Sequence, residues 1–406
     1  MDAVALDTLE IRDAADAVEA LRAANARNQP LGVIGAGSKR RLGRHAPAPR
    51  ALSTRALAGV TLYEPAELVI SAGAGTPLAE IESLLDAHRQ QLAFEPMDHA
   101  PLLGGATRSA TIGGAIAVNA SGPRRIKAGA ARDHVLGFHC VTGRGEKVKS
   151  GGRVMKNVTG YDLSKLVCGS YGTLALLTEV TLKVLPKAET EQTLLVVGLD
   201  EAQSLAQLRR AAGSPHEASS FAMLPAGAGP LGRDRNVAAL RLEGPEISVA
   251  TRRDALVADL ADSGAEFETL PQDASAALWA SVRDAAPIAG HSGQVWRLSL
   301  APTDGVEAVA ALRRGGAPIL AHFYDWCGGL VWLCLEAASD AHARAVRAAV
   351  GRFGGHATLI RAADETRAKV DVFHPQPAPL AALTRRVKES FDPAHVLERG
   401  RMRAEY

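Results

Sequence analysis

The chain has 406 residues, 47% of them hydrophobic and 22% charged, and a formal net charge of +2; such a length suggests two or three domains with ample core. The near-neutral charge gives no reason to expect nucleic acid or an anionic membrane as the main partner, and the 4% aromatic content argues against an RNA-stacking surface. No basic start leads into an apolar run, so no signal peptide is expected, and no stretch of about 18 apolar residues predicts a membrane span.

The four cysteines, Cys140, Cys168, Cys327 and Cys334, form no CxxC pair. That argues against an iron–sulfur or zinc centre and fits a reducing cytoplasm.

In chain order, Leu9, Ala14, Ala17, Val18 and Leu21 predict a helical stripe over 9–28, with Asp7-Thr8 as the cap and Pro30 as the stop. Leu31 to Ile34 reads as a short buried strand running into Gly35-Ala-Gly-Ser-Lys39. A strand, a glycine turn and a cation make either a cradle for a diphosphate or an ordinary tight turn. Neither the Walker spacing nor the dinucleotide fingerprint is present. Leu68 to Ala72 is a second strand, ending in a Gly73-Ala-Gly75 turn read as structural. Pro77 then opens a helix with Leu78, Ile81, Leu84 and Leu85 on its apolar face.

Small residues crowd Ala106 to Gly122, where backbone must approach something closely. Within that stretch, Thr111-Ile-Gly-Gly114 predicts a turn into a short buried segment, Ala115 to Val118, that ends at Asn119-Ala-Ser-Gly122. Residues 132–142 alternate as a strand, with Gly143-Arg-Gly145 as a hairpin turn. A helix is expected around Leu163 to Val167. A last strand precedes Pro186, with Thr178, Val180, Leu182 and Val184 on one face.

The second half has a different rhythm. Strands over 192–199, 216–223, 236–242 and 265–269 alternate with helices over 200–212 and 245–262 in the order βαββαβ. After a helical insert over 274–285 the order recurs, with strands over 294–300, 319–324, 330–335 and 356–360 and helices starting at Thr303 and Ser339. Two such units side by side predict one larger antiparallel sheet with helices on one face. The fold class is therefore α+β.

Four signatures stand in order: Ile34 to Lys39; Ala110 to Gly114 with Asn119 to Gly122; Arg132-Asp-His-Val-Leu-Gly137; and Gly169 to Thr173 with Leu177 to Val180. Together they resemble the FAD-binding domain of the vanillyl-alcohol oxidase/PCMH flavoproteins. Within that group the chain is similar to the FAD-binding subunits of bacterial glycolate oxidases. The runs that carry this are Ser121-Gly-Pro-Arg-Arg125, Val154 to Asn157 with Gly160-Tyr-Asp162, Trp296-Arg-Leu-Ser299, and Asp325-Trp with Gly328-Gly329.

The resemblance implies a PCMH-type FAD-binding domain of two α/β subdomains over 1–188. It implies an α+β cap or substrate domain over 189–372 and a C-terminal segment, 373–406, returning to the FAD domain. Gly35, Ala36, Gly37, Ser38 and Lys39 would wrap the pyrophosphate, and Thr111, Gly113 and Gly114 would pass beside it and the flavin. Ser121 and Gly122 match positions along the flavin ring. Arg132, Asp133 and Val135 match the strand beside the adenosine half, and Glu179 and Val180 match an edge meeting the cofactor through main-chain groups. For Asp133 and Glu179 a surface carboxylate is the alternative.

Covalent members carry a histidine in the first glycine loop. Here Ser38 and Lys39 stand there, so non-covalent FAD is expected. Phe391-Asp-Pro393 and Gly400-Arg-Met402 resemble the family's closing pattern, but Glu398-Arg399 replaces its Asn-Pro and puts a flavin contact from that segment in doubt.

The family's reaction is hydride transfer from a 2-hydroxy acid to flavin, here glycolate to glyoxylate. It requires a carboxylate site, a base and a bound carbon over the ring. Arg297 is the candidate for the substrate carboxylate. His291, His322 and His374 are the histidines considered as base, each with a structural reading beside it, and no catalytic residue and no metal are assigned. The expected partners are a homologous FAD-containing catalytic subunit and an iron–sulfur subunit. The expected location is the cytoplasm, with contact to the inner face of the membrane through those subunits. A non-catalytic electron-transfer or assembly subunit and a stand-alone D-2-hydroxy-acid dehydrogenase of D-lactate type are the alternatives.

Overall fold

A computed structural model describes residues 7–153 and 161–406; the run from Val154 to Gly160 singled out above lies outside the described residues. Two units emerge from the contacts within the chain. The first comprises residues up to Ala120, Gly129–Pro186 and Asp371–Tyr406, and the second comprises Ser121–Ala128 and Lys187–Val370.

Among the described residues the first unit holds three sheets. Strands β1 (Asp7–Glu10), β2 (Leu31–Ile34) and β3 (Arg50–Ser53) form a small parallel sheet in the order β1-β3-β2. Strands β4 (Val60–Glu64), β5 (Val69–Gly73), β7 (Val135–Thr142), β8 (Lys147–Gly151) and β9 (Ala175–Lys183) form an antiparallel sheet in the order β4-β5-β9-β7-β8. The short strands β6 (Gln90–Gln91) and β10 (Leu185–Pro186) pair separately.

The first helix begins later than its apolar stripe predicts. Leu9 lies in β1 and is exposed, and the helix runs Ala14–Arg27. Its cap is Asp13, not Asp7 or Thr8. The Asp13 side chain accepts from the Ala15 and Asp16 amides at 2.6 and 2.9 Å, satisfying two of the orphan donors of a helix start. Parallel pairing of β1 with β3 wins over the helical period for Leu9. At the other end Asn28 adopts the left-handed conformation (φ 48°) that closes the helix before Pro30 is reached. Ala17, Leu21 and Ala24 bury the inner face among Leu31 and Leu52 of the parallel sheet and Val141 and Leu176 of the antiparallel one. One helix thus fills the space between the two sheets, each buried leucine contributing about 1.5–3 kcal/mol.

The short segment Ile112–Ala117 is a helix, where a turn and a buried run were expected; Thr111 caps it, accepting from the Gly114 amide at 3.3 Å. The strand expected from Arg132 is preceded by a helical turn, Ala131–His134, so pairing starts at Val135. The helix Leu163–Val167 is present as expected.

The second unit is built on one eight-stranded sheet. Its strands are β11 (Thr190–Val197), β12 (Ser220–Leu224), β13 (Val237–Gly244), β14 (Glu266–Leu270), β15 (Gln294–Ser299), β16 (Ile319–Asp325), β17 (Leu330–Leu335) and β18 (His356–Arg361). Their order is β14-β11-β13-β12-β16-β17-β15-β18, and every pairing is antiparallel. Each βαββαβ half contributes four strands, in mirrored order about the seam, where Met223 pairs with Tyr324. β12 and β17 are buried at every residue; β17 is a continuous apolar run, as full burial requires, and in β12 the polar Ser220 accepts from Arg241 Nε at 3.1 Å. The fold is the α+β arrangement expected, with a sheet-rich second part.

Candidate functional site

The parallel sheet sets the position of the site. Ligands of such sheets gather outside the carboxyl ends of the strands, and at the end of β2 the chain turns through Gly35 to Lys39. Gly37 takes a positive φ (83°), a conformation costly for any residue with a Cβ. The loop rests against the Thr111 helix start so closely that a Cβ on Gly35 would stand 2.3 Å from Thr111 Oγ1.

The Thr111–Gly114 segment is itself held by the Gly73–Gly75 turn. The Gly113 amide donates to Ala74 O at 2.9 Å, and a Cβ on Gly113 would meet Ala74 at 2.7 Å. The requirement for glycine at 113 is therefore packing against Ala74. Gly114 differs, since a Cβ there would meet Thr111 Oγ1 at 3.2 Å and Lys39 Nζ at 4.0 Å. Gly73 and Gly75 are structural, as read, because a Cβ on either would strike the Leu57 or Thr54 carbonyl.

These pieces surround an open cleft. Gly35, Ala36, Gly37, Ser38 and Lys39 line it on one side, and Thr111, Gly113 and Gly114 on another. Lys39 is 9% exposed. Its ammonium donates one hydrogen bond, a long one of 3.4 Å to Ser38 Oγ. Burial pushes its pKa down to about 8, and the field of Asp98 offsets only part of that effect. A buried cation with so little compensation suits an anionic ligand. The cleft therefore fits a cofactor carrying a diphosphate, with Lys39 and the glycine loop toward its charge.

Sequence reading missed the rest of the lining. The C-terminal segment joins the open edge of β2, where Leu397 bridges Leu31 and the Glu398 amide donates to Leu31 O at 2.9 Å. This brings Glu398 and Arg401 to the cleft. Glu398 Oε1 accepts from the Val33 amide at 2.7 Å, and Arg401 Nη2 donates to Lys39 O at 2.9 Å. The segment in which Glu-Arg replaces Asn-Pro thus lies at the cleft. Tyr171 and Gly172, both at positive φ, complete the wall with Ala175 and Leu177; the Gly169–Thr173 motif was the available signal.

Other expected residues lie outside the cleft. Asp133 Oδ2 accepts from the Ala130 amide at 2.9 Å and caps a helical turn, while the exposed Arg132 donates its amide to Asn119 Oδ1 at 3.1 Å. Val135 is half-buried at the start of β7 and Val180 is fully buried in β9. Glu179 accepts from Thr61 Oγ1 at 2.8 Å and borders a separate hollow of about 340 Å³ with His139. Ser121 and Gly122 cluster with the second unit. Arg297 is also in that unit, half-buried on β15.

Of the histidines, His291 is exposed. His322 Nε2 meets Glu201 Oε2 at 3.0 Å, in a cluster that also ties Tyr324 and Arg313 to Glu201. The His374 carbonyl accepts from Arg403 at 3.2 Å. No histidine lines the cleft among the described residues. Nor do the described residues hold a group of three or more His, Cys, Asp or Glu suited to a metal, or a helix long and apolar enough to cross a membrane.

A family model for an FAD-binding domain matches residues 8–151. Fold, cleft and match together define an FAD-dependent oxidoreductase. Glycolate oxidase subunit GlcE of Escherichia coli is 35% identical over 93% of this chain and 93% of its own length. The chain belongs to that GlcE family of glycolate oxidase subunits. Glycolate oxidase subunit GlcD of Bacillus subtilis is 46% identical over 21% of the chain and 18% of GlcD, and a D-lactate dehydrogenase of Anaerostipes hadrus is 36% identical over 33% of the chain and 26% of that enzyme. Among solved structures, an alkyldihydroxyacetonephosphate synthase superposes with a TM-score of 0.67 at 15% identity, over 96% of this chain and 76% of its own; this likeness concerns the fold.

Proposed function

We propose that the chain is the FAD-binding subunit of a glycolate oxidase complex that oxidises glycolate to glyoxylate and passes the electrons to an iron–sulfur partner. The observation that carries this reading is the similarity to GlcE along nearly the whole of both chains. The chemistry bound FAD supplies is acceptance of a hydride from the hydroxyl-bearing carbon of the acid. The protein's part is to hold the cofactor and exclude water. Gly35 to Lys39 and Thr111 to Gly114 bind the diphosphate, Lys39 balances its charge, and the buried walls from Ala175 and Leu177 shield the cleft. Binding is non-covalent, since Ser38 and Lys39 occupy the loop. Denaturing the purified protein therefore releases all of its yellow colour, and flavin that stays with the chain refutes this point.

One observation favours a second reading. None of His291, His322 and His374 lines the cleft, which suits a subunit that carries flavin for electron transfer or assembly while a homologous FAD-containing subunit performs the oxidation. The absorption spectrum of the isolated chain, recorded before and after adding glycolate, separates the two. Bleaching of the flavin absorption supports oxidation at this flavin. Bleaching only in the assembled complex supports the second reading.

A further inference from the structure

The C-terminal segment grips the glycine loop through one side chain in particular. Along the edge of β2 away from β3, the Leu31 amide donates to Val396 O at 2.7 Å and the Glu398 amide to Leu31 O at 2.9 Å. These are two rungs of a parallel ladder, and a third would take the Val33 amide to the Glu398 carbonyl. That carbonyl is already used, since it accepts from the Arg401 amide at 2.9 Å in a turn where Glu398 has a positive φ of 45°. The Glu398 side chain supplies the acceptor instead, and its Oε1 receives the Val33 amide at 2.7 Å. We propose that Glu398 is a positioning residue for the diphosphate loop, coupling the docking of residues 396–401 onto β2 to the uptake of FAD. This rests on reading the cleft as the FAD site.

The carboxylate is built into the fold. Glu398 is 5% exposed. A Cβ on Gly172 would stand 3.6 Å from its Cγ, and one on Gly32 would stand 3.7 Å from its Oε1. The side chain therefore runs in contact with β2 and with the turn that carries Tyr171. Two arginines answer its charge: Arg401 Nη1 lies 3.7 Å from Oε2 and Arg40 Nη1 lies 3.9 Å from Oε1. A buried carboxylate needs such partners together with a hydrogen bond to its charged form. A left-handed residue other than glycine likewise persists only where its surroundings over-determine it.

Arg401 carries the constraint onward. Its Nη2 donates to Lys39 O at 2.9 Å, and its carbonyl accepts from the Arg44 amide at 2.8 Å. The loop is thus fixed at Val33 before it, at Lys39 within it and at Arg44 beyond it. This matters because the buried Lys39 ammonium gains by swinging toward water. Holding its main chain keeps the cation at the cleft, so less ordering remains to be done when the diphosphate arrives. The coupling is reciprocal: where docking of the segment raises FAD affinity, bound FAD holds the segment down by the same factor.

The test uses the full chain freed of FAD, with FAD affinity read by flavin fluorescence and main-chain protection by hydrogen exchange. Glu398→Ala should weaken FAD binding by about tenfold, within the usual range of coupling between sites. Glu398→Gln retains an acceptor for the Val33 amide and should recover most of that loss. In the parent, added FAD should slow exchange of the Leu31 and Arg44 amides, although neither residue lines the cleft, and Glu398→Ala should abolish that slowing. A role in stability alone would lower the unfolding midpoint and leave this exchange independent of FAD. Should Glu398→Ala fail to fold, Arg401→Lys keeps the charge but not the two-nitrogen reach to Glu398 and Lys39, and FAD binding weaker by about threefold or more is expected. The proposal is overturned by parent-like affinity in Glu398→Ala or, where that variant does not fold, in Arg401→Lys. A Gln variant as weak as the Ala variant, or exchange that FAD leaves unchanged, overturns it too, and in each case the flavin assignment stands. A folded parent chain that takes up no FAD overturns the flavin assignment instead.

Discussion

Two lysines of the first unit are buried to a similar degree, and their surroundings differ in one respect. Lys388 donates to Asp392 Oδ2 at 2.6 Å, to Thr173 O at 2.7 Å and to Leu397 O at 3.0 Å. All three ammonium protons are used. Among the described residues Lys39 donates only to Ser38 Oγ, at 3.4 Å. Desolvation depresses both pKa values, but at Lys388 the hydrogen-bonded Asp392 opposes it, while at Lys39 the opposing influence is the field of Asp98. Satisfied burial marks a structural cation and unsatisfied burial marks one whose partner arrives with a ligand. Lys388 pins the last helix, Ala378–Phe391, whose one buried residue it is, to the chain that follows. Lys39 faces the cleft.

The largest effect tests the structural half of that contrast. Lys388→Met leaves the Asp392 carboxylate fully buried without its cation, although the Val396 and Leu397 amides still donate to it at 3.0 and 2.8 Å. Breaking such a pair costs about 3–5 kcal/mol, seen as a lower urea midpoint, and Asp392→Asn in the same chain should recover part of it. An unchanged midpoint would remove the distinction between the two lysines.

Lys39→Met should act in the other direction. Without cofactor the folded chain loses an uncompensated buried charge and is expected to be as stable as the parent or more so. Its FAD affinity should fall by about 10–100-fold, the loss of charged hydrogen bonds, as measured by flavin fluorescence in the apo-protein. Equal affinity would place the diphosphate elsewhere.

A pH series separates charge from shape. The Lys39 pKa of about 8 in the folded chain lies below the ordinary 10.5, so between those values the unfolded chain binds more protons. The stability of the cofactor-free protein should therefore rise as pH rises from about 8 to 10.5. FAD affinity should change with the opposite sign, because the diphosphate favours the protonated amine. Full affinity is expected below pH 8, and above it a fall of up to about tenfold per pH unit. Lys39→Met should flatten both profiles.

Local features of the site were legible in the sequence, and features made by distant pairing were not. Gly35 to Lys39 and Thr111 to Gly114 announce themselves through a strand with a glycine turn and a crowd of small residues, though the helix that Thr111 caps was read as a turn and a buried run. Glu398 and Arg401 reach the same cleft through a bridge from Leu397 to Leu31, and no periodicity in either segment encodes that pairing. Leu9 misled for a related reason, since its place in β1 depends on pairing with Leu52 in β3. The doubled βαββαβ order was readable because strand and helix patterns alternate along the second half, but the seam between Met223 and Tyr324 is a single registered pair that leaves no sequence pattern. Asp133 shows the converse limit: a motif position can be filled by a residue whose carboxylate serves its own helix turn.

The smallest effect bears on the weakest contact of Lys39. Ser38→Ala removes its one hydrogen bond, yet at 3.4 Å that bond is near the limit for a useful interaction. If the ammonium is held for the cofactor and not by Ser38, the loss should stay within about 0.5 kcal/mol, less than threefold in FAD affinity. The pH midpoint of FAD binding should also stay where the parent has it. A loss as large as that of Lys39→Met would mean that Ser38 sets the lysine's position, and the cleft would then resemble the Lys388 anchor more than a site completed by its ligand.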